Sequence, residues 1–337
     1  MELSCDICVI GGGVAGSFVA TKFLKIGKRV ALIDAHEKIG GQALLYQEKH
    51  INNIPMIENI TASDLCKRLE NDLFEKENFH FFSEAEVNEI LKVDEETFNI
   101  FLKYKAKKDV KITSQYIIFA TGKGKGIPNK LPLLQDISEC DGKSVFYSVA
   151  NKELFEGKKV LITGGGDSVI DWAVELSGIA NEIIAVSRRQ IVKVENQQFK
   201  QFLELVNSGK IVQKFLCAVK EIKHHNGFAE EVIIQNNENG SEEVVKCEMV
   251  LAFLGIKFVQ SDILSKCANF DLISENGYIK VSMFNAQTNE KNIFAVGDCC
   301  YYEGKMQNIP FGFFECLKCF YEICKREDKN FNVFEKR

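Results

Sequence analysis

Short apolar runs, each closed by a glycine or an acidic residue, alternate along this chain with amphipathic stretches. Asp6-Ile7-Cys8-Val9-Ile10 has the unbroken apolar pattern of a strand buried on both faces. The turn Gly11-Gly12-Gly13-Val14-Ala15-Gly16 comes next, and then a helix is predicted from about Gly16 to Lys25, stopped by Gly27 as a left-handed C-cap. Arg29-Val30-Ala31-Leu32-Ile33 predicts the second strand, with Asp34 at its end. Residues 60–77 read as helical, and the stretch from about Phe79 to Ile118 alternates as strands do and runs into Tyr116–Gly122. The glycine-rich Lys123-Gly124-Lys125-Gly126-Ile127-Pro128 predicts an interdomain crossing.

The order then repeats. Lys158-Lys159-Val160-Leu161-Ile162 predicts a strand, Gly164-Gly165-Gly166 a turn, Ser168 to about Ser177 a helix, and Glu182-Ile183-Ile184-Ala185-Val186 the next strand. Asn236-Asn237-Glu238-Asn239-Gly240-Ser241 reads as a hairpin loop. From Met249-Val250-Leu251-Ala252-Phe253 the chain is expected to return to the first domain, where Asn292-Ile293-Phe294-Ala295-Val296-Gly297-Asp298 gives another buried strand ending in a carboxylate. The predicted fold is α/β with two Rossmann-like dinucleotide-binding domains, one discontinuous (1–119 and 253–337) and one inserted (120–252).

Composition narrows the field without changing this picture. In 337 residues, 46% hydrophobic and 26% charged, there is room for two cores, and no apolar stretch approaches the roughly 18–20 residues of a membrane span. The first residues lack the basic segment of a signal peptide, so a cytoplasmic protein is expected. A net charge of −5 gives no reason to expect nucleic acid as a partner. The 12 cysteines are irregularly spaced. Cys5/Cys8 and Cys316/Cys319 have CxxC spacing and Cys299-Cys300 are adjacent, but strand geometry separates the first pair and no companion ligand pair accompanies the second. All are expected to be structural.

Both glycine turns have the chemistry of a pyrophosphate cradle, with a backbone free to approach the ligand and a helix N-terminus offering unpaired N–H groups. They differ in the residues beyond the second strand of each unit. Asp34 stands where a ribose hydroxyl acceptor belongs and would repel a 2′-phosphate. Ser187-Arg188-Arg189, with Lys193 beyond, offers guanidinium groups suited to a 2′-phosphate, so NADPH is expected there over NADH; a solvated charged pair is the plainer alternative. Asp298 is either a helix N-cap or a partner of a flavin's sugar-alcohol chain.

With these residues in place the chain resembles thioredoxin-reductase-like ferredoxin/flavodoxin–NADP reductases. Gly40-Gly41-Gln42-Ala43-Leu44-Leu45-Tyr46-Gln47-Glu48-Lys49 resembles the family's GGQ…LYPEK, and Gly164–Ala173 its GGGDSAVDWA. Phe294–Asp298 with Tyr302-Glu303-Gly304-Lys305 is similar to FAAGD…YEGK, and Ile309–Glu315 stands in the place of ATGFGEA. The resemblance implies FAD on the discontinuous domain, held by Gly11, Gly13, Val14, Ala15, Gly16, Asp34, Gly41, Gln42, Tyr46 (stacked on the flavin ring), Val87, Gly122 and Asp298. It implies NADPH on the inserted domain, at Gly164, Gly165, Gly166, Asp167, Ser168, Arg188, Arg189 and Lys193. The resemblance implies hydride transfer between the cofactor rings, for which no side chain is expected to act as acid or base. Thioredoxin reductases carry a CxxC before the second glycine turn, whereas Tyr147-Ser148-Val149-Ala150-Asn151 contains no cysteine and Cys140 is alone. Electrons are therefore expected to leave for ferredoxin or flavodoxin in a homodimeric enzyme; lysines 103, 105, 107 and 108 and lysines 123, 125 and 130 could steer such an acidic carrier, simple solvation being the commoner reading of such clusters. An enzyme with an unconventional dithiol, or a flavin- and NADPH-binding sensor without turnover, are the alternatives. The chain departs from the family at Val169, Gln47, Ser187 and Gly126, and Phe331 or Phe334 either serves as the tail ring that covers the flavin in relatives or belongs to a frayed hydrophobic tail.

Overall fold

The structure is a computed structural model that describes residues 1–51, 53–54, 57, 60–104, 108–165, 167–190, 197–259 and 261–328, with the backbone alone at 108 and 125. It divides into two compact units, residues 1–126 with 258–337, and residues 127–257. The first unit opens with β1 (Glu2–Ile10), α1 (Val14–Lys25) and β2 (Val30–Ile33). Then come α2 (Ala62–Phe74), β3 (Phe79–Phe82), β4 (Ala85–Lys92), β5 (Phe98–Tyr104) and β6 (Lys108–Phe119). The sheet order is β3-β2-β1-β6-β5-β4. β1 lies parallel to both β2 (Ile7 opposite Val30) and β6 (Ile10 opposite Phe119), whereas β4, β5 and β6 form an antiparallel meander.

The two-residue period of β1 explains its unbroken apolar run. Ile7 and Val9 enter one core with Val19, Phe23 and Phe320, while Cys8 and Ile10 enter the other with Ile112, Ile117 and Phe119. α1 begins at Val14, earlier than the predicted Gly16, because Gly13 already serves as its N-cap. α2 is shorter than predicted; Thr61 caps it by accepting the Asp64 N–H at 3.0 Å.

The second unit carries β7 (Val145–Phe146), β8 (Lys159–Gly164), α3 (Asp167–Leu176), β9 (Glu182–Ser187), α4 (Gln197–Asn207) and β10 (Ile211–Phe215). A meander of β11 (Cys217–His225), β12 (Phe228–Asn236) and β13 (Glu242–Lys246) comes after it, with its turn in the stretch read as a hairpin loop. β14 (Met249–Phe253) ends the series. The parallel sheet runs β7-β14-β8-β9-β10. The expectation that Met249–Phe253 returns to the first domain is therefore corrected. β14 is an interior strand of the second unit, with Leu251 opposite Ile162, and its apolar run faces cores on both sides.

The crossings at 126/127 and 257/258 also fall later than the boundaries 119/120 and 252/253 expected from sequence. Ala120–Gly124 stays with the first unit because Ala120 N–H donates to the Ile10 carbonyl, and the Gly124 N–H to that of Thr121. After the second crossing, β15 (Ile293–Ala295) pairs parallel with β6, and α5 (Ile309–Glu327) packs beside α1. The α1–α5 seam is aromatic: Phe18 meets Phe313 at 4.5 Å between ring centroids, and Phe23 meets Phe320 at 5.2 Å. Phe23 is fully buried there. Phe23→Ala is expected to cost about 3–5 kcal/mol through the cavity it leaves, read as a lower urea midpoint with the second unit's signal unchanged.

Candidate functional site

The first glycine turn leaves the C-terminal end of β1 with main chain packed on main chain. Gly11 has φ +113°, and a Cβ built there would lie 2.3 Å from the Ala120 carbonyl oxygen. A Cβ on Gly16 would lie 1.9 Å from the Gly11 carbonyl oxygen. Gly13 differs: a Cβ there would meet only the Gly41 Cα, at 3.9 Å. Gly13 therefore leaves open space at the N-terminus of α1, whose first turn has no acidic residue and no side-chain cap. That end of the helix presents unpaired N–H groups and the positive end of its dipole.

Asp34 closes one side. Its carboxylate accepts the Gly12 N–H at 2.5 Å on Oδ2 and the His36 N–H at 2.7 Å on Oδ1, with His36 Nδ1 2.8 Å from the same oxygen. Gly41 (φ +55°) closes another side, because a Cβ on it would sit 2.9 Å from the Gly13 Cα. Gln42 Nε2 lies 3.5 Å from the position of a Cβ on Gly122, which has φ +60°. Tyr46 ends the 3-10 turn Gly41–Tyr46 half-exposed, and burial of the remainder pushes its phenol pKa up. Val87 is half-buried on β4, a strand tied to Asp34 by the Ala85 N–H, which donates to the Asp34 carbonyl at 2.9 Å.

Asp298 arrives from the 3-10 turn Gly297–Cys299, just beyond β15. A Cβ on Gly297 would be 3.0 Å from that of Ala15, so this turn abuts the start of α1. Lys123 Nζ lies 3.9 Å from Asp298 Oδ2. The strand ends of β1, β2, β6 and β15 thus bring Gly11, Gly13, Val14, Ala15, Gly16, Asp34, Gly41, Gln42, Gly122 and Asp298 around one helix N-terminus, the usual ligand position of an open α/β sheet. A cradle that admits no Cβ at Gly11, Gly16 or Gly41 and is open at Gly13, beside a buried carboxylate acceptor, fits a dinucleotide whose ribose carries no 2′-phosphate.

The second turn is looser. Gly164 is tight, with a Cβ there 2.5 Å from the Phe253 carbonyl oxygen and 3.0 Å from Val169 Cγ2, so Val169 fills space beside the turn. Gly165 is exposed, and a Cβ on it would meet nothing within 4 Å. Asp167 and Ser168 open α3. Arg188 lines a cleft with Thr163, Gly164 and Leu254. The main chain after β9 is fixed: Asn237 Nδ2 donates to the Arg188 carbonyl at 3.2 Å, and the Arg189 N–H to Ser187 Oγ at 3.3 Å. Both arginines are exposed, and neither has an ion-pair partner among the described residues. Gly166, Lys193, Phe331, Phe334 and lysines 105 and 107 lie outside the described residues, as do the side chains of lysines 108 and 125.

Two features were missed from sequence. Lys123 and Lys130, read as docking or solvated lysines, pair with Asp298 and Asp141. Glu315 is wholly buried beside the Gly297 turn; the signal was a single acid within the apolar stretch Phe311–Phe320. The cysteines are free thiols. Burial pushes Cys299 up to about 11 and Cys300, Cys316 and Cys319 well above the usual thiol range.

The family profile described as pyridine nucleotide-disulphide oxidoreductase matches residues 5–313. A Rickettsia bellii protein named ferredoxin–NADP reductase is 35% identical over 311 residues, covering 92% of this chain and 90% of that one. A protein of the same name from Rickettsia typhi is 34% identical over 312 residues, with 92% and 90% covered. Among solved structures, Lactococcus lactis thioredoxin reductase superposes with a TM-score of 0.70 at 21% identity (95% of this chain, 98% of that one). The T. acidophilum thioredoxin reductase gives 0.71 at 21% identity (96% and 99%). These two likenesses are of fold.

The contrast between two glycines is testable. Gly16→Ala is expected to destabilise the protein by about 1–3 kcal/mol through overpacking, whereas Gly13→Ala stays within about 1 kcal/mol and instead obstructs the ligand. Thermal melts paired with flavin uptake separate the two.

Proposed function

The chain belongs to the pyridine nucleotide-disulphide oxidoreductase family, and from that membership we propose that it is a flavoprotein carrying electrons between NADPH and ferredoxin or flavodoxin through FAD. The observation that carries the reading is the inequality of the two glycine turns. One is backed by the Asp34 carboxylate and the other by two exposed arginines, in a chain without a cysteine pair before the second turn. FAD, when bound, supplies a ring that accepts hydride and releases electrons one at a time. The protein's part is to bind and orient.

In this reading Asp34 turns from the Gly12 N–H and His36 toward the adenosine ribose hydroxyls, and the N–H groups at the start of α1 receive the pyrophosphate. Asp298 and Gln42 would hold the flavin's sugar-alcohol chain and ring edge, and Tyr46 would lie against the ring. In the second unit the Gly164 turn and the start of α3 take the NADPH pyrophosphate, while Arg188 and Arg189 take its 2′-phosphate by paired, charge-assisted hydrogen bonds.

A dithiol route is disfavoured. Thiol exchange needs a thiolate, and burial suppresses it at Cys299, Cys300, Cys316 and Cys319. The family likeness also suggests a homodimer, and no helix among the described residues is long and apolar enough to cross a membrane.

The purified protein is expected to be reduced anaerobically by NADPH and to pass electrons to ferredoxin or flavodoxin well above the rate of free flavin; turnover at the free-flavin rate rejects the proposal. Replacing Cys299, Cys300, Cys316 and Cys319 with serine one at a time should leave that turnover intact in every variant that folds. Arg188→Glu with Arg189→Glu should raise KM for NADPH at least about tenfold and leave KM for NADH within a factor of about two, in steady-state assays with each nucleotide.

A further inference from the structure

Glu315 is a carboxylate shut away from water, and nothing in the proposed electron path uses it. Its Oε2 accepts the Gly297 N–H at 2.7 Å. Its Oε1 accepts the Tyr302 hydroxyl at 2.8 Å and a hydrogen bond from Lys305 Nζ at 2.5 Å. The side chains of Lys305 and Glu315 are 4% and 1% exposed, so this is an interior ion pair. Such a pair is a poor source of stability, because desolvating two charges offsets most of their attraction. What it supplies is a fixed direction.

The direction is toward a turn that has no slack. Gly297 has φ +73° and begins the 3-10 turn bearing Asp298. A Cβ on Gly297 would lie 3.0 Å from that of Ala15 at the start of α1. One on Gly312, in the first turn of α5, would lie 3.6 Å from the Ala15 Cβ and 3.7 Å from the Gly297 Cα. Cys316 Sγ adds a contact from α5 to the Ala15 carbonyl at 3.2 Å. Two helix starts and the turn therefore meet backbone to backbone, and Glu315 binds the turn's first N–H.

We infer that Glu315 is a positioning residue for the flavin: by holding the Gly297 N–H it fixes the turn that presents Asp298, while Lys305 balances its charge and Tyr302 holds its second oxygen. This rests on Asp298 being a flavin contact, as proposed above. Gln42 and Asp34 reach the ligand from other elements, so loss of Glu315 weakens FAD binding without abolishing the cradle.

The test is FAD titration of the deflavinated full-length protein by fluorescence quenching, alongside thermal melts. E315Q/K305M removes both charges and keeps a carbonyl acceptor for Gly297, whereas E315M/K305M removes the acceptor too. The first should bind FAD within about threefold of wild type and the second at least about tenfold more weakly. I323A, a cavity two turns along α5, should lower Tm without moving the FAD Kd. Equal affinity in the two double variants, or an equal loss of affinity in I323A, overturns the inference. Should E315M/K305M fail to fold, E315Q alone serves, because it leaves Lys305 competing for the single remaining acceptor. It should bind FAD at least about threefold more weakly than E315Q/K305M, and equal binding overturns the inference. A wild-type protein that takes up no FAD removes the flavin reading itself, an outcome distinct from a wild type that binds FAD while all variants match it.

Discussion

Everything in the first unit depends on a main-chain contact that tolerates no side chain. Where β1 ends, the Gly11 backbone lies against Ala120 from the end of β6, and Gly16 on α1 lies against Gly11. Close approach at these points sets how α1 leaves the sheet, and hence where its free N–H groups aim. Asp34 then fixes the same loop from β2 through the Gly12 N–H, and Gly41 closes it by touching Gly13. Three stretches distant in sequence are held within one cradle by backbone proximity, which is why glycine is needed at these positions. Aromatic packing between α1 and α5 holds the helix from outside, but it is the backbone contact that gives the helix its direction.

The two glycine turns show how the same local sequence can carry different constraints. At the first, Gly16 enforces close packing of helix on strand. At the second, the corresponding place is taken by Val169, whose methyl group stands 3.0 Å from where a Cβ on Gly164 would be. The Val169 side chain therefore fills space beside the turn that glycine leaves open at the first. In the proposed reading the arginines after β9 then matter more, because a second turn crowded by Val169 would leave a larger share of nucleotide binding to charge-assisted contacts with the distal phosphate.

Much of this was legible in the chain because the signals were local. Strand, glycine turn, helix, strand and terminal acid are read within a few dozen residues, and both units were found that way. Met249–Phe253 failed for a non-local reason: an apolar run declares burial on both faces but not which sheet buries it. The chain crossings failed similarly, since Lys123-Gly124 looks like a linker until Ala120 is seen bonded to Ile10. The lysines at 123 and 130 looked solvated because their partners, Asp298 and Asp141, are 175 and 11 positions away. Glu315 was visible only as an acid in the wrong place.

That misplacement is the most informative polar feature in the fold. An acid at an apolar helical position costs solvation unless every oxygen is met, and here both are, by groups from the Gly297 turn and from the segment after it. A hydrophobic side chain would fill the same volume at lower cost, so burial alone cannot account for a carboxylate at this point. The Gly297 N–H supplies what is missing. It faces inward from a left-handed turn, and without an acceptor it would be an orphaned donor in a dry interior. A helix N-terminus could not satisfy it, because the nearby starts of α1 and α5 also offer donors. Only an acceptor brought by a side chain resolves the conflict, and α5 brings one while Lys305 neutralises it. The cost of the buried pair is thus a consequence of seating the Gly297 turn, backbone to backbone, against the start of α1 and the first turn of α5.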